Sequence, residues 1–314
     1  MPDMADTTDT ADTADTADTP QADQRLPSEA VRLSSGASAN VSASLSFDPV
    51  AHVYDDTRGY PPAVADAIAA LLMRVGPLTP DASVLEIGIG TGRIALPLLA
   101  HGVNITGVDI SERMVARLRA KYDERRAAEP ERAWGSLRAE LADMTALPFP
   151  SGGFAAVVAV HVLHLVPSWR QALDEAFRVV RPGGALLLGQ DVSGANVVNH
   201  VAQDQWITLI RELGYNPTRI GASTYDDILT EAHARGLRVE EHAGPNWIGE
   251  QTPRQALAYI AGRTWSQTWG APDDFFAVSI QRLNDWAQRH FKGALDTPQR
   301  GSYSFKVARI SQPG

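Results

Sequence analysis

Apolar runs typical of buried strands alternate, between residues 61 and 191, with segments whose apolar positions recur at helical spacing. The strand-like runs are SVLEIG, NITGVDI, LRAELAD, FAAVVAVHVL and GALLLGQD, the last after a predicted RPGG turn. The helix-like segments include PPAVADAIAALLMRV, RIALPLLAHG and SERMVARLRAKYDERRAA. Five strands that alternate with helices predict an α/β fold with a parallel sheet covered on both faces.

Two helix starts carry capping signals. Ser111 directly precedes a helix-like segment and is a preferred N-cap residue. Ser168 and Gln171 form an S-x-x-Q pattern, which predicts a capping box.

The segments after Asp191 also have helical and strand character. SGANVVNHVAQDQWITLIRELG and TYDDILTEAHARG predict helices, and LRVEEHAG and GSYSFKVARI predict strands. Between these two strands lie about 40 residues with helical spacing, too apolar for disorder and longer than a hairpin needs. We therefore expect helical insertions near residues 195–222 and 252–292 that form a substrate lid.

The N-terminal segment has a different composition. Residues 1–25 contain seven aspartates, one arginine and ADT triplets without an apolar face, so we expect residues 1–46 to be a disordered acidic tail and residues 47–314 to be the folded domain. The segment lacks the apolar region of a secretory signal, and no apolar run in the sequence has membrane-spanning length, so a cytoplasmic location without membrane association is expected.

Overall composition narrows the possible chemistry. The chain has 314 residues, of which 44% are hydrophobic, with a formal net charge of −9 and no cysteine. The absence of cysteine excludes disulfides, thiolate metal sites and a cysteine nucleophile. Because the basic residues are scattered, no nucleic-acid footprint is evident, and a small-molecule partner is expected.

A glycine-rich loop in VLEIGIGTGRIALPLL is the first candidate site. Counted from Gly88, the dinucleotide-binding pattern G-x-G-x-x-G/A fails at Arg93, but counted from Gly90 it is satisfied through Ala95. The loop alone is therefore compatible with a nicotinamide dinucleotide and with other nucleotide-like ligands.

Acidic residues at three successive strand ends refine this interpretation. Glu86 would repel a pyrophosphate but would suit a cation such as an amino group or a sulfonium. Asp109 can accept both hydroxyls of a ribose, and Asp143 can accept from the exocyclic amine of adenine while Met144 offers an amide and an apolar contact.

Taken together, the segments FDPVAHVYDDTRGYP, VLEIGIGTGR, VDISERM, ADMTALPFPSGGF, HVLHLV and RVVRPGGALLL resemble the class I S-adenosylmethionine-dependent methyltransferases of the type 11, quinone-methylase-like group. The resemblance runs from about Phe47 to Asp191. It implies a doubly wound, mostly parallel seven-stranded sheet whose last strand is antiparallel, with S-adenosylmethionine as the cofactor. Where the family usually has Asp after the Phe of PSGGF, this chain has Ala155.

The resemblance also implies roles for individual residues. Glu86, Gly88, Gly90 and Gly92 would surround the methionine part of the cofactor, and Asp109 would hold its ribose. The remaining predicted contacts are Ile110 and Met114 beside the adenine, Asp143 and Met144 on either side of it, and Tyr54 and Arg58 as a cover from the N-terminal segment.

Candidates for catalysis and acceptor binding are fewer. His161 stands at the carboxyl end of the predicted fourth strand, where the resemblance places the transferable methyl group, and an imidazole can remove a proton near neutral pH. His164 is a second candidate; with no third ligand in view, no metal site is predicted. Four tryptophans could form pocket walls or core: Trp206, Trp247, Trp265 and Trp269.

Methyl transfer from S-adenosylmethionine to a small-molecule acceptor is the preferred hypothesis. A nicotinamide-dependent oxidoreductase and a cofactor-binding regulator without catalysis are the alternatives. Glu86 and the DMTALPF segment count against the oxidoreductase.

Overall fold

The fold is built on one seven-stranded sheet. It is described here from a computed structural model, which covers residues 44–313. The strands are β1 Val84–Ile87, β2 Ile105–Asp109, β3 Leu137–Leu141, β4 Phe154–Val160, β5 Val180–Ser193, β6 Arg238–Gln251 and β7 Gln299–Ser311. Their order is β3-β2-β1-β4-β5-β7-β6, and β7 is antiparallel to both of its neighbours. The predicted mostly parallel sheet with an antiparallel last strand is confirmed.

Helices cover the sheet on both faces. They are α1 Tyr54–Arg58, α2 Pro62–Val75, α3 Ala95–Ala100, α4 Glu112–Ala128, α5 Trp169–Val179, α6 Val198–Glu212, α7 Tyr225–Ala234, α8 Pro253–Ala261 and α9 Asp273–His290. Strands β1 and β4 are buried along their whole lengths, because side chains on each face meet one of two apolar clusters. The chain reverses direction across the sheet between β1 and β4, and at such a switch point the carboxyl ends of the strands leave a crevice for a ligand.

The two predicted helix caps have different outcomes. Ser111 Oγ accepts from the Met114 N–H at 3.2 Å, so the cap of α4 is confirmed. Ser168 makes no capping hydrogen bond, and the predicted capping box is wrong. Gln171 Nε2 instead donates to the Thr145 carbonyl at 2.9 Å, because a tertiary contact is available to its side chain.

Strand β5 begins earlier than the sequence pattern indicates. The predicted RPGG turn lies inside the strand as an irregularity, because the pairing shifts from Phe154 with Val180 to Ala156 with Ala185. Gly183 absorbs this shift with a φ of 77°.

Strands β6 and β7 continue beyond the part of the sheet that includes β5. Strand β5 ends where Ser193 pairs with Tyr303, but β6 and β7 remain paired as far as Gln251 with Gln299. Residues 246–251 and 299–304 therefore form a two-stranded extension, named here the β6–β7 ribbon. The sequence pattern had placed the end of β6 near Gly244.

A third apolar cluster joins α6, α8 and α9. Trp206 is fully buried in this cluster together with Ile260 and Leu283, and its Nε1 donates to Ser279 Oγ at 2.9 Å. These helices fall within the two predicted insertions and pack as one helical layer. None of the helices between residues 44 and 313 has the length and apolar character that a bilayer crossing requires.

Residues 44–46, which belong to the predicted tail, are among the described residues. The Leu45 N–H donates to the Leu165 carbonyl at 3.1 Å, so this residue of the predicted tail contacts the folded domain. Asp48 then accepts from Ser111 Oγ at 2.5 Å, which attaches this segment to the start of α4. Residues 1–43, the rest of the predicted tail, lie outside the described residues.

Gly92 offers a test of how the glycine loop packs. It has a φ of 83°, and an added Cβ would overlap the buried side chains of Leu118 and Leu96. We expect Gly92→Ala to lower the free energy of unfolding by about 2–4 kcal/mol, from left-handed strain and overpacking together. Gly214→Ala, at a φ of 92° with open space around its Cβ, is the matched control, with an expected loss of about 1–2 kcal/mol. Urea denaturation measures the free energy of unfolding of both variants. Equal losses in the two would contradict the packing role of Gly92.

Candidate active site

A cavity of about 1080 Å³ lies at the carboxyl edge of the parallel strands. The structure brings most of the predicted site residues to its wall: Tyr54, Arg58, Gly88, Gly90, Asp109, Ile110, Met114, Asp143, Met144 and His161. Glu86 and Gly92 lie behind the wall. The convergence follows from the sheet, since each strand end contributes its next residues to the same edge.

The glycine loop after β1 is held from below by the neighbouring strand. The Gly88 and Ile89 N–H groups both donate to the Val108 carbonyl, at 2.8 and 3.0 Å. Gly90 has a φ of 54°, and a Cβ there would meet nothing closer than the Gly88 carbonyl at 4.0 Å. Gly90 therefore faces open space on the cavity side, where a ligand can approach the backbone closely.

Glu86, the third residue of β1, is 3% exposed. Burial raises the pKa of its carboxyl well above the ordinary value, and Arg93 opposes this effect. Its Oε2 is buried and has no hydrogen-bond partner among residues 44–313. An unsatisfied buried carboxyl oxygen costs free energy, and a cationic donor would relieve that cost.

Asp109 ends β2 and joins the glycine loop to α4. Its Oδ2 accepts from the Gly90 N–H and its Oδ1 from the Ser111 N–H, both at 2.9 Å. Burial raises the pKa of the Asp109 carboxyl, although these two backbone donors act in the opposite direction. Each oxygen has a second lone pair, so the carboxylate can still accept from ligand hydroxyls.

Beside Asp109, the cavity wall consists of two methionine side chains and one carboxylate. Met114 and Met144 are buried and line the cavity, so Met114 belongs both to the core and to the cavity wall. Asp143 Oδ1 accepts from the Thr145 N–H and hydroxyl, both at 2.8 Å, which fixes the orientation of the carboxylate.

The N-terminal segment closes this side of the cavity. The Arg58 guanidinium lies 5.2 Å from the centre of the Tyr54 ring, and its Nη2 donates to the Thr264 carbonyl at 2.7 Å. Burial lowers the pKa of Arg58. Asp55, next to Tyr54, accepts from Lys121 Nζ at 2.9 Å and from Thr91 Oγ1 at 2.6 Å, which fastens the segment to α4 and to the glycine loop.

His161 lies at the end of β4 with a φ of 53°, in a group that sequence reasoning missed. Asp191, at the end of β5, contacts His161 Nε2 through its N–H at 2.8 Å and through Oδ2 at 3.0 Å. The Tyr60 hydroxyl donates to Asp191 Oδ1 at 2.7 Å, and Arg93 Nη1 lies 3.4 Å from Oδ2. Despite burial, these partners lower the pKa of Asp191 to about 2, so its carboxylate is ionised at neutral pH.

Sequence reasoning missed this group because its members are distant in the chain. The only sequence signal for Asp191 was its position at the end of a predicted strand, the position that had identified Asp109. Arg93 was noticed only as a mismatch to the dinucleotide-binding pattern.

His164 differs from His161 in its surroundings. Burial, assisted by His161, Arg219 and Arg58, lowers the pKa of His164 to about 3. A neutral imidazole with so low a pKa is a poor proton acceptor near pH 7.

The four tryptophans divide between core and cavity. Trp247 and Trp265 line the cavity. Trp206 belongs to the core of the helical layer. Trp269 packs on Phe47 at 4.8 Å between ring centres, and its Nε1 donates to the Arg263 carbonyl at 2.6 Å.

Comparison with known proteins gives a consistent result. The type 11 family model described as a methyltransferase domain matches residues 85–188. The chain is 30% identical over 235 residues to 27-O-demethylrifamycin SV methyltransferase of Amycolatopsis mediterranei, covering 66% of this chain and 75% of that protein. It is 39% identical over 124 residues to phosphatidylethanolamine N-methyltransferase of Cereibacter sphaeroides, covering 39% of this chain and 52%, about half, of that relative.

Among solved structures, the YcgJ protein of Bacillus subtilis matches with a TM-score of 0.52 at 20% identity. The match covers 78% of this chain and 98% of that one. At this level of identity the likeness concerns the fold.

Asp109 can be tested as the ribose acceptor. Asp109→Ala should weaken binding of S-adenosylhomocysteine about tenfold or more, since it removes charge-assisted hydrogen bonds of about 1.5–3 kcal/mol. The affinity of Asp109→Asn should lie between those of Asp109→Ala and the unchanged protein. Asp123→Ala, on the exposed side of α4, is the control and should leave the affinity unchanged. Isothermal titration calorimetry measures the affinities, and thermal melting checks the fold. Unchanged affinity in a folded Asp109→Ala variant would contradict the prediction that Asp109 binds the ribose.

Proposed function

The chain belongs to the type 11 methyltransferase-domain family, and from this membership we propose that it transfers a methyl group from S-adenosylmethionine to a small-molecule acceptor in the cavity at the carboxyl edge of the sheet. Both relatives above carry small-molecule acceptors in their names, a rifamycin and a phosphatidylethanolamine. The cavity supports the proposal because it has room for a nucleoside cofactor and an acceptor together.

The observation that carries the cofactor assignment is the buried carboxyl of Glu86. Its Oε2 has no partner among residues 44–313, and it lies on the strand that leads into the glycine loop. From behind the cavity wall the Glu86 carboxylate acts on a ligand through its charge, which favours the ammonium and sulfonium groups of S-adenosylmethionine, whereas a pyrophosphate would place like charge beside it. This argument favours S-adenosylmethionine over a nicotinamide dinucleotide.

The other predicted contacts fit the same ligand. Gly90 leaves open space for close approach, and Asp109 retains lone pairs for ribose hydroxyls. Met114 and Met144 offer apolar surface to an adenine ring, and Asp143 offers a carboxylate oxygen to its amine. Tyr54 and Arg58 would cover the cofactor from the N-terminal segment. Gly92 acts through packing, because its Cβ position points at Leu118.

The protein must orient the acceptor and exclude water. When bound, the cofactor supplies a methyl group on a sulfonium, which is a good leaving group. Helices α6 and α8 contribute Asn199, Gln203 and Tyr259 to the cavity wall, which supports the proposal that the helical layer is the substrate lid. Orientation inside a closed site can supply much of the rate acceleration.

We assign the general base to His161 for acceptors that must lose a proton. His161 Nε2 accepts from the Asp191 N–H and lies 3.0 Å from Asp191 Oδ2, so in the neutral ring the lone pair is on Nε2 and the proton is on Nδ1. When Nε2 takes a proton from the acceptor, the ionised carboxylate of Asp191 stabilises the imidazolium that forms. Tyr60 and Arg93 hold the carboxylate in place.

Glu86 provides the test of the cofactor. Burial raises the pKa of the Glu86 carboxyl, and binding of an ammonium group favours its ionised form. We expect binding of S-adenosylhomocysteine to be coupled to proton release from Glu86, measured over a range of pH by calorimetry in two buffers with different ionisation enthalpies.

Glu86→Gln is the matched variant. It should abolish proton release and weaken binding about tenfold or more. NADPH should give no binding heat. Binding of NADPH in place of S-adenosylhomocysteine would contradict the proposed cofactor and support an oxidoreductase.

The two histidines provide the test of the base. The acceptor is first identified by incubating the protein with methyl-labelled S-adenosylmethionine and a metabolite extract. With an acceptor methylated on oxygen or nitrogen, His161→Gln should lower kcat about 10²–10⁴-fold, the usual contribution of a general base. His164→Gln should have a much smaller effect, since its imidazole is a poor base. The reverse order of effects would refute the assignment.

A further inference from the structure

His164 lines the cavity from a short 3-10 turn, Leu163–Leu165, that follows β4. Its ring centre lies 6.5 Å from the ring centre of His161, with 88° between the ring planes. The proposed base chemistry leaves His164 without a role. Its ring nevertheless lies beside the predicted base, where a second part of the acceptor can reach it.

A loop from the second half of the chain packs against the backbone of this turn. The Ala222 N–H donates to the Leu163 carbonyl and the Gly221 N–H donates to the His164 carbonyl, both at 3.2 Å. An added Cβ at Gly221 would overlap the Leu163 carbonyl oxygen, so glycine is required for this close approach. Arg219 precedes Gly221 by two residues, and the loop therefore holds it next to the turn that carries His164.

Arg219 also lines the cavity. Its Nη1 donates to the Ser223 carbonyl within the same loop. Among residues 44–313, no carboxylate lies within salt-bridge distance of its guanidinium, and four of its five N–H groups remain for a ligand.

The charged groups that act on His164 are all basic. Burial lowers the pKa of its imidazole to about 3, and His161, Arg219 and Arg58 add to this effect. Near pH 7 the ring is therefore neutral, with one N–H that can donate. A guanidinium and a neutral imidazole in a region of positive charge favour an anionic oxygen group, which can accept from both.

We propose that His164 and Arg219 bind a carboxylate of the acceptor, while the group that receives the methyl lies at His161. A single guanidinium and one imidazole N–H match the two oxygens and single charge of a carboxylate. The inference rests on the proposed function, since it takes the position of the methylated group from the role of His161. It assigns the substrate class as acceptors whose carboxylate lies within a few bonds of the methylated atom, because the two imidazole rings are close together.

The test uses the full chain saturated with S-adenosylhomocysteine and three probes: phenol, salicylate and 3-hydroxybenzoate. Ligand-observed NMR titration measures the dissociation constants, and phenol is the reference without a carboxylate. At least one hydroxybenzoate should bind about tenfold more tightly than phenol, the effect of hydrogen bonds to a charged group. Arg219 is exposed, so this advantage should decrease as the salt concentration is raised from about 50 to about 500 mM.

Variants of the two residues locate the effect. Arg219→Gln should reduce the advantage of the hydroxybenzoate over phenol to less than about threefold. Arg219→Lys should retain part of the advantage, because lysine keeps the charge but lacks the planar fork. His164→Phe preserves an aromatic ring and should weaken hydroxybenzoate binding about threefold to fivefold by removing one donor.

Arg181→Gln is the matched control. Arg181 is exposed at the opposite end of β5 and does not line the cavity, so the same loss of one positive charge should leave the advantage unchanged. Equal affinities for phenol and both hydroxybenzoates in the unchanged protein would overturn the proposal. An advantage that persists in Arg219→Gln would also overturn it, because the carboxylate would then bind elsewhere.

Affinity for S-adenosylhomocysteine, measured in the same samples, separates the remaining explanations. If Arg219→Gln loses this affinity, Arg219 binds the carboxylate of the cofactor, and the proposal is overturned. If the unchanged protein binds S-adenosylhomocysteine but shows no preference for a hydroxybenzoate, the carboxylate subsite fails and the proposed function stands. If S-adenosylhomocysteine does not bind at all, the proposed function fails and this inference fails with it. Thermal melting checks that each variant is folded.

Discussion

The carboxylate of Asp109 is the interaction on which the arrangement of the site depends. It is half-buried, so its charge is stabilised by donors, which come from the backbone of the glycine loop and from Ser111 at the start of α4. One side chain therefore sets the distance between the loop that approaches the ligand and the helix that carries Met114. Ser111 extends the arrangement by capping α4 and donating to Asp48, which places the N-terminal segment over the same part of the cavity.

A second set of contacts connects the glycine loop to the His161–Asp191 pair. Arg93 follows the glycine loop directly, yet its guanidinium lies 4.6 Å from the Tyr60 ring centre and 3.4 Å from Asp191. It also donates to the Arg58 carbonyl at 3.1 Å in the covering segment. A single buried cation thus joins the loop, the cover and the predicted base. Polar and aromatic groups contact the Arg93 guanidinium on several sides, and these contacts fix its position.

Features that depend on neighbouring residues in the sequence were predicted better than features that depend on contacts between distant segments. Strand identities, the cap at Ser111 and the convergence of Asp109, Asp143 and His161 follow from local periodicity and from the rule that parallel strand ends share an edge. Their roles toward a ligand remain predictions.

Features that depend on contacts between distant segments could not be predicted. Asp191 pairs with Tyr60 across 131 residues of sequence, and no periodicity records such a contact. The β6–β7 ribbon depends on pairing between two strands rather than on a pattern within either. Gln171 failed as a cap because a carbonyl from another segment was within its reach, and Trp206 became core because three helices meet around it.

The left-handed backbone of His161 has a consequence for the evolution of this chain. A residue with a side chain at a φ of 53° carries about 1–2 kcal/mol of conformational strain, which glycine avoids and asparagine reduces. Selection for stability alone would therefore drift away from histidine at this position. Under the proposed role of His161, a copy of the gene that no longer needed the imidazole would gain stability by losing it, and the identity of residue 161 in a descendant sequence would then indicate whether the chemistry has been kept.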